Sequence, residues 1–231
     1  AQATLDVLSH HGVGVFLPEN QGCCGIPAIS AGDATTFNRL VRHNLEQFNG
    51  VDFDYLITSC ATCTSTIKNI WPMMFQNESG EIKASVEKIA EKTMDISQFL
   101  VSKIGLKTGN NNDSENIKTV TYHDPCHLKK SLGVSKEPRD LIKANPRYLL
   151  REMRDADTCC GMGGSFNLQY YDISSDIGKV KLENIKLSGC SIVATSCPAC
   201  MIQISDMLSK SGNNIAVKHP VEIYADLFKK T

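Results

Sequence analysis

Ten cysteines in 231 residues set the chemistry to be explained, and their spacing is repetitive. Cys23-Cys24-Gly25 is followed 35 residues later by Cys60-Ala61-Thr62-Cys63, and Cys159-Cys160-Gly161 is followed 36 residues later by Cys197-Pro198-Ala199-Cys200. The correspondence runs on outside the cysteines. A shift of 136 places Phe37 and Val41 on Ile173 and Ile177, and a shift of 137 places Leu45 and Phe48 on Leu182 and Ile185 and Thr58-Ser59-Cys60 on Thr195-Ser196-Cys197. Two related halves therefore differ by one inserted residue between the CCG and the CxxC, the signature of an internal duplication. The second half adds Cys126, which brings its candidate thiolates to five: Cys126, Cys159, Cys160, Cys197 and Cys200. The first half has four: Cys23, Cys24, Cys60 and Cys63. Cys190 falls opposite the apolar Phe53 and reads as a small buried hydrophobe.

Soft thiolates select zinc or iron–sulfur over hard cations. Zinc takes four ligands, as does a simple [4Fe–4S] cube, so a fifth thiolate is surplus unless a sulfur bridges two metals or the cluster is not a simple cube. Neighbouring Cα atoms lie about 3.8 Å apart, below the usual disulfide range of roughly 4.4–6.8 Å, so Cys159 and Cys160 make poor disulfide partners. Their diverging side chains suit different irons of one cluster. The first set leaves iron–sulfur and zinc evenly matched. Thiol–disulfide exchange at CxxC is a third reading, weakened by the pairing of each CxxC with a CCG at matched distance. The counterpart of Cys126 in the first half falls 136 residues upstream of it, before residue 1, and the chain does not begin with Met, so it is expected to start partway into its first repeat.

Each half reads as alternating helix and strand. The pattern predicts a helix over 4–10, a strand over 13–17, a helix over 35–49, a strand over 54–59, helix from Thr64 through Met74, and one helix over 83–104. The second half predicts strands over 119–123, 148–153 and 191–195 and helices over 138–145, 172–187 and 201–209. Gly109 to Ser114 is the expected linker. The fold class is α/β, with two small parallel-sheet units related by a pseudo-twofold over 1–108 and 115–231, each carrying a CCG…CxxC metal site. Cys60, Cys126 and Cys197 then lie where a strand hands over to a helix, the place where α/β folds bind ligands and where free N–H groups favour anions. Gly25 and Gly161 to Gly164 allow tight backbone that either makes turns or aims N–H groups at sulfur. His127, in a first helical turn beside Cys126, is a candidate to touch the cluster or its ligands. His123 is expected at a strand end, partly solvated. Lys129 and Lys130 read as a solvated face or a docking aid.

The pattern Cys126-x32-Cys159-Cys160-Gly161-x35-Cys197-x2-Cys200, with CCG and CxxC duplicated in one chain, resembles the cysteine-rich CCG domain family. That family includes the CCG-bearing component of heterodisulfide reductase and the iron–sulfur subunits of glycolate, lactate and anaerobic glycerol-3-phosphate oxidoreductases. The run from His123 to Leu128 and the run from Cys159 to Leu168 are most similar to the glycolate/lactate type. The resemblance implies an iron–sulfur electron-transfer subunit of a 2-hydroxy-acid oxidoreductase. Its partners would be a flavoprotein dehydrogenase subunit and a further electron carrier or quinone-linked subunit. It also implies a [4Fe–4S] cluster, noncubane in the heterodisulfide reductase type, in the second repeat. Four cysteines in place of five leave the first repeat open to iron–sulfur or zinc. Alternatives are disulfide reduction in the manner of heterodisulfide reductase, and a zinc-stabilised interaction module.

The remaining composition excludes other classes. With 24 basic and 25 acidic residues the net charge of −1 gives no pull toward nucleic acid. No apolar run approaches the roughly 18 residues of a membrane span, so an integral membrane protein is not expected; the location expected is cytoplasmic, at the inner face of the membrane through partners. No nucleophile triad, phosphate loop or dinucleotide fingerprint is present, so the chain is not expected to oxidise substrate alone. The duplication makes one sharp prediction. Cys160→Ala lowers bound iron or changes the cluster spectrum, whereas Cys190→Ala leaves both unchanged, read by metal analysis and EPR of protein purified without oxygen.

Overall fold

The computed structural model describes residues 1–109 and 117–229; most of the expected linker lies outside them. Among the described residues six strands form two all-parallel sheets. In the first half β1 (Leu56–Thr58) pairs with β2 (Thr93–Asp95). In the second, β3 (Lys118–Tyr122), β4 (Tyr148–Leu150), β5 (Ile192–Ala194) and β6 (Ala216–Lys218) lie in the order β4-β3-β5-β6. The central strand β5 is buried at all three residues, as expected for a parallel strand covered on both faces.

The helices follow the apolar spacing. Helix Ala34–Phe48 starts at Asp33, whose carboxylate accepts the Thr36 N–H at 2.9 Å, and it buries Phe37, Val41 and Leu45 along one stripe. With Trp71, Phe75, Val86 and Ile89 these form the core of the first half. The second half packs Leu128, Leu182, Ile185, Val193, Ile204 and Leu208 around Cys160, Cys197 and Cys200. The two halves also share a core, because Val7, Leu8, Ile96, Phe99 and Leu100 pack with Leu141, Val221 and Tyr224.

Two expectations fail. The predicted strand over 13–17 is not formed, and Val15, Phe16 and Leu17 are exposed. Alternation supplied the side chains of a strand, but β1 pairs only with β2 among the described residues, so no neighbour takes up the 13–17 backbone. The predicted helix over 83–104 is interrupted. Helix Gly80–Lys92 ends at β2, and helical structure resumes from Ile96 to Ile104. Pairing with β1 overrides the helical pattern here. Its counterpart β6 is likewise absent from the sequence pattern.

The ends of β2 and β6 explain their position. Asp95 accepts the Ser97 N–H at 2.8 Å and caps the next helix, and His219 does the same for Val221 at 3.1 Å. Asp95 is fully buried, and burial pushes its carboxyl up to about 6, with the Glu137 charge adding to the rise and the Ser97 N–H opposing it. The unfolded chain ionises this group near pH 4, so the folded state binds its proton more tightly. The contribution to stability is whole below about pH 4 and is lost as pH rises through about 6. Asp95→Asn keeps an acceptor for Ser97 and is expected to raise stability by about 1–3 kcal/mol at neutral pH, with no gain below about pH 4. Urea unfolding at the two pH values reads this directly.

Candidate metal centre

Cys60 follows β1, Cys126 follows β3 and Cys197 follows β5, whereas no strand precedes Cys23 and Cys24 among the described residues. Cys60 and Cys197 are the residues immediately before helices Ala61–Ser65 and Pro198–Lys210, so Cys63 and Cys200 fall in the first turn. Cys126 is the first residue of helix Cys126–Leu132. The unpaired N–H groups at these helix starts favour negative sulfur. After Cys63 the chain stays helical but widens to π geometry over Thr66–Ile70 before Trp71.

The structure brings all nine cysteines of the two sets into one connected group. In the first half Cys24 interacts with Cys63, and Cys63 with Cys60. In the second, Cys159 interacts with Cys160, Cys160 with Cys200, and Cys200 with Cys197. Cys126 lies close enough to Cys160 and Cys197 for their charges to act on it. Cys60 and Cys197 join the halves. Cys23 completes the first set beside Cys24. Cys24, Cys160, Cys197 and Cys200 are buried, whereas Cys23, Cys126 and Cys159 are exposed at the rim. Cys190 is buried at the opposite end of β5, its thiol 3.7 Å from Ser188 O. Seven residues of extended chain separate it from Cys197 by roughly 20 Å.

Thiols in contact cannot all ionise. Cys63 donates to Cys24 and lowers it to about 6 against the cost of burial, and Cys63 itself is raised by the same contact. Cys200 and Cys60 together hold Cys197 down at about 2, while Cys60 is raised to about 11, first by Cys197. Cys160 is lowered by Cys159 and Cys200, and both of those are raised. Each lowered thiol leans on raised neighbours, the pattern of shared protons, and only bound cations would allow every sulfur to be a thiolate.

The two CxxC loops are bolted together. The Ala61 N–H donates to Ser196 O at 2.9 Å. Thr62 Oγ1 lies 3.4 Å from Cys197 Sγ and 3.1 Å from His127 Nδ1, so His127 reaches the ligand set through Thr62 of the other half. The residue equivalent to Ala61 is Pro198, which has no N–H to return. Beside it His219 accepts the Val221 N–H on Nδ1, so its ring proton lies on Nε2, which is buried without a hydrogen-bond partner; burial lowers its pKa to about 4.

The CCG loops are held by polar side chains on the buried faces of the long helices. Asn44 donates to Cys23 O and accepts from the Gly22 N–H, both at 2.9 Å. Its repeat equivalent is Lys181, which donates to Asp155 O at 2.8 Å and Ala156 O at 3.1 Å and is lowered to about 8 by burial. Trp71 Nε1 donates to Cys24 O at 2.9 Å. A polar residue in the apolar stripe of both repeats was the available signal for Asn44 and Lys181.

His123 is a correction. Expected to be partly solvated, it is 1% exposed. Its Nδ1 lies 3.1 Å from Ala156 O, and its Nε2 is buried without a partner. His123 Nε2 and the Cys160 and Cys200 sulfurs all lie within 4.8 Å of one another. The turn that carries His123 is fixed by Asp124, paired with both terminal nitrogens of Arg139 at 2.7 and 2.9 Å. Lys129 is spent on ion pairs with Asp157 at 3.1 Å and Asp124 at 3.5 Å, which leaves Lys130 as the exposed cation of that pair.

A family model described as Cysteine-rich domain, CCG, matches residues 1–68 and 120–205. The chain belongs to this family. An uncharacterized iron-sulfur protein of Methanococcus maripaludis is 36% identical over 209 residues, covering 90% of this chain and 38% of that protein. A subunit of the fumarate reductase (CoM/CoB) of Methanothermobacter marburgensis is 36% identical over 214 residues, covering 91% of this chain and 39% of its own length. Lactate utilization protein A of Shouchella clausii is 28% identical over 222 residues, covering 95% of this chain and 89% of that protein. The chain thus spans about two fifths of the length of the methanogen relatives and most of the length of the last. Among the described residues no helix is long and apolar enough to cross a membrane.

The glycine of each CCG has a backbone reason. Gly25 and Gly161 have φ of +92° and +95°, and a Cβ on Gly161 would stand 2.4 Å from Ser174 O. The Gly161 N–H also points at Cys159 Sγ at 3.3 Å, so one residue serves both the turn and the sulfur. Gly161→Ala is expected to cost about 3 kcal/mol or more, through strain and displacement of the helix carrying Ser174. Urea unfolding of the metal-free protein measures it.

Proposed function

We propose that the chain is a two-centre iron–sulfur relay, the electron-transfer component of a 2-hydroxy-acid oxidoreductase of the lactate or glycolate type. Cys126, Cys159, Cys160, Cys197 and Cys200 hold a [4Fe–4S]-type cluster, and Cys23, Cys24, Cys60 and Cys63 hold a second metal site. The observation that carries this reading is the contact of Cys60 with Cys197, which makes the two ligand sets neighbours. The donor sets fit such groups: the second offers one thiol more than zinc or a simple cube needs, and most of its sulfurs are already free of water. Bound iron–sulfur clusters supply one-electron acceptors. The polypeptide fixes their separation through the Ala61–Ser196 bond, cradles them with helix N-termini, and leaves Cys23, Cys126 and Cys159 at the rim, where donor and acceptor partners approach. A flavoprotein dehydrogenase subunit at one rim and a quinone-linked or other carrier at the opposite one complete the path. The near full-length likeness to lactate utilization protein A supports the lactate side of this reading.

A second reading, reduction of a disulfide, is favoured by a cleft of about 1270 Å³ beside Cys24, Cys60 and Cys63. Phe16, Leu17, Phe53 and Phe99 line it and offer apolar room for a thiol-bearing substrate next to the first site. Reconstitution with iron and sulfide in the absence of oxygen separates the readings. Iron and acid-labile sulfide in near-equal amounts, electron transfer to a dye acceptor and no release of thiol from mixed disulfides are expected. Stoichiometric zinc without iron contradicts both readings, and rapid thiol release moves the assignment to the second.

A further inference from the structure

We propose that His123 is itself a ligand of the second centre, binding through Nε2 the metal held by Cys160 and Cys200. This rests on the proposed cluster in that half and adds to it a donor that is not sulfur.

Three observations converge. The Ala156 carbonyl can only accept, so the contact at 3.1 Å requires the His123 proton on Nδ1. Nε2 then carries a lone pair in the neutral ring. This is the tautomer found in metal-bound histidine, with the far nitrogen donating to a backbone carbonyl that fixes the ring. That lone pair is buried with no partner, a costly arrangement for a polar atom shut away from water. Its position also places it with Cys160 Sγ and Cys200 Sγ, all three atoms within 4.8 Å of one another, a spacing that one metal ion can draw in.

The surroundings hold the ring in place. His123 N donates to Ala194 O at 2.8 Å at the end of β5, while Asp124 N and Lys181 Nζ also donate to Ala156 O, at 3.0 and 3.1 Å. The ring therefore has its axis fixed by the sheet and its Nδ1 partner fixed by two further donors. An imidazole at this position contributes a neutral donor, so the centre carries less negative charge than thiolates alone would give it. Replacing thiolate by histidine raises reduction potentials at iron–sulfur centres.

The test is pulsed EPR on protein labelled with 15N only at histidine, reconstituted with iron and sulfide and poised in its paramagnetic state. A strongly coupled, directly bound nitrogen is expected. It is lost in His123→Cys, which supplies a thiolate and retains the iron, and persists in His127→Asn. Retention of the coupling in His123→Cys, or its loss in His127→Asn alone, overturns the assignment. A wild-type cluster with full iron content and no strongly coupled nitrogen overturns this inference and leaves the proposed relay standing. Wild-type protein that binds no iron overturns both.

Discussion

Mutual repulsion among packed sulfurs governs this molecule. Two unit charges about 4 Å apart repel by roughly 4 kcal/mol at an effective dielectric of about 20. A connected run from Cys24 through Cys63, Cys60, Cys197, Cys200 and Cys160 to Cys159 would exceed a domain's entire stability of about 5–15 kcal/mol if every sulfur were ionised without compensation. The metal-free chain answers by raising Cys63, Cys60, Cys200 and Cys159, which hold their protons beside the lowered Cys24, Cys197 and Cys160. Bound cations answer it more completely, and the thiols become ligands as their protons leave. The cost of assembling the sulfurs is borne by the rest of the fold: parallel strands that end at one level, helix starts that point N–H groups inward, and a core shared between the halves.

Duplication supplied both ligand sets from one plan, and the departures from symmetry mark the working parts. Asn44 and Lys181 occupy equivalent places and hold equivalent loops, yet one is neutral and the other is a buried amine beside Cys160. Asp95 and His219 cap equivalent helices with side chains of opposite acid–base character. Ala61 gives a hydrogen bond across the halves that Pro198 cannot return. Each difference puts positive or neutral donors on the side of the second centre.

Much of this was legible in the residues. The repeated CCG and CxxC spacing singled out eight cysteines as candidates and left Cys190 outside the pattern, because ligand spacing is local and is readable without a three-dimensional view. The helices over 34–48 and 171–187 followed from their apolar stripes. What escaped depended on partners distant in sequence. The exposed 13–17 segment has strand character but no neighbour, and β2 interrupts a helical pattern because β1 lies beside it. Contact of Cys60 with Cys197, and the burial of His123 against Ala156, arise only when the halves meet or the loop after β4 folds back. The polar residues Asn44 and Lys181 inside apolar stripes were readable signs of loop anchors.

A relay requires the two sets of sulfurs to form one redox unit. EPR of the fully reconstituted protein, with both centres paramagnetic, measures this through their magnetic interaction. Splitting or accelerated relaxation of each signal by the other is predicted, with the interaction disappearing in Cys24→Ala/Cys63→Ala protein that retains only the second centre. Two signals that simply add, each identical to that of a singly loaded protein, would contradict it.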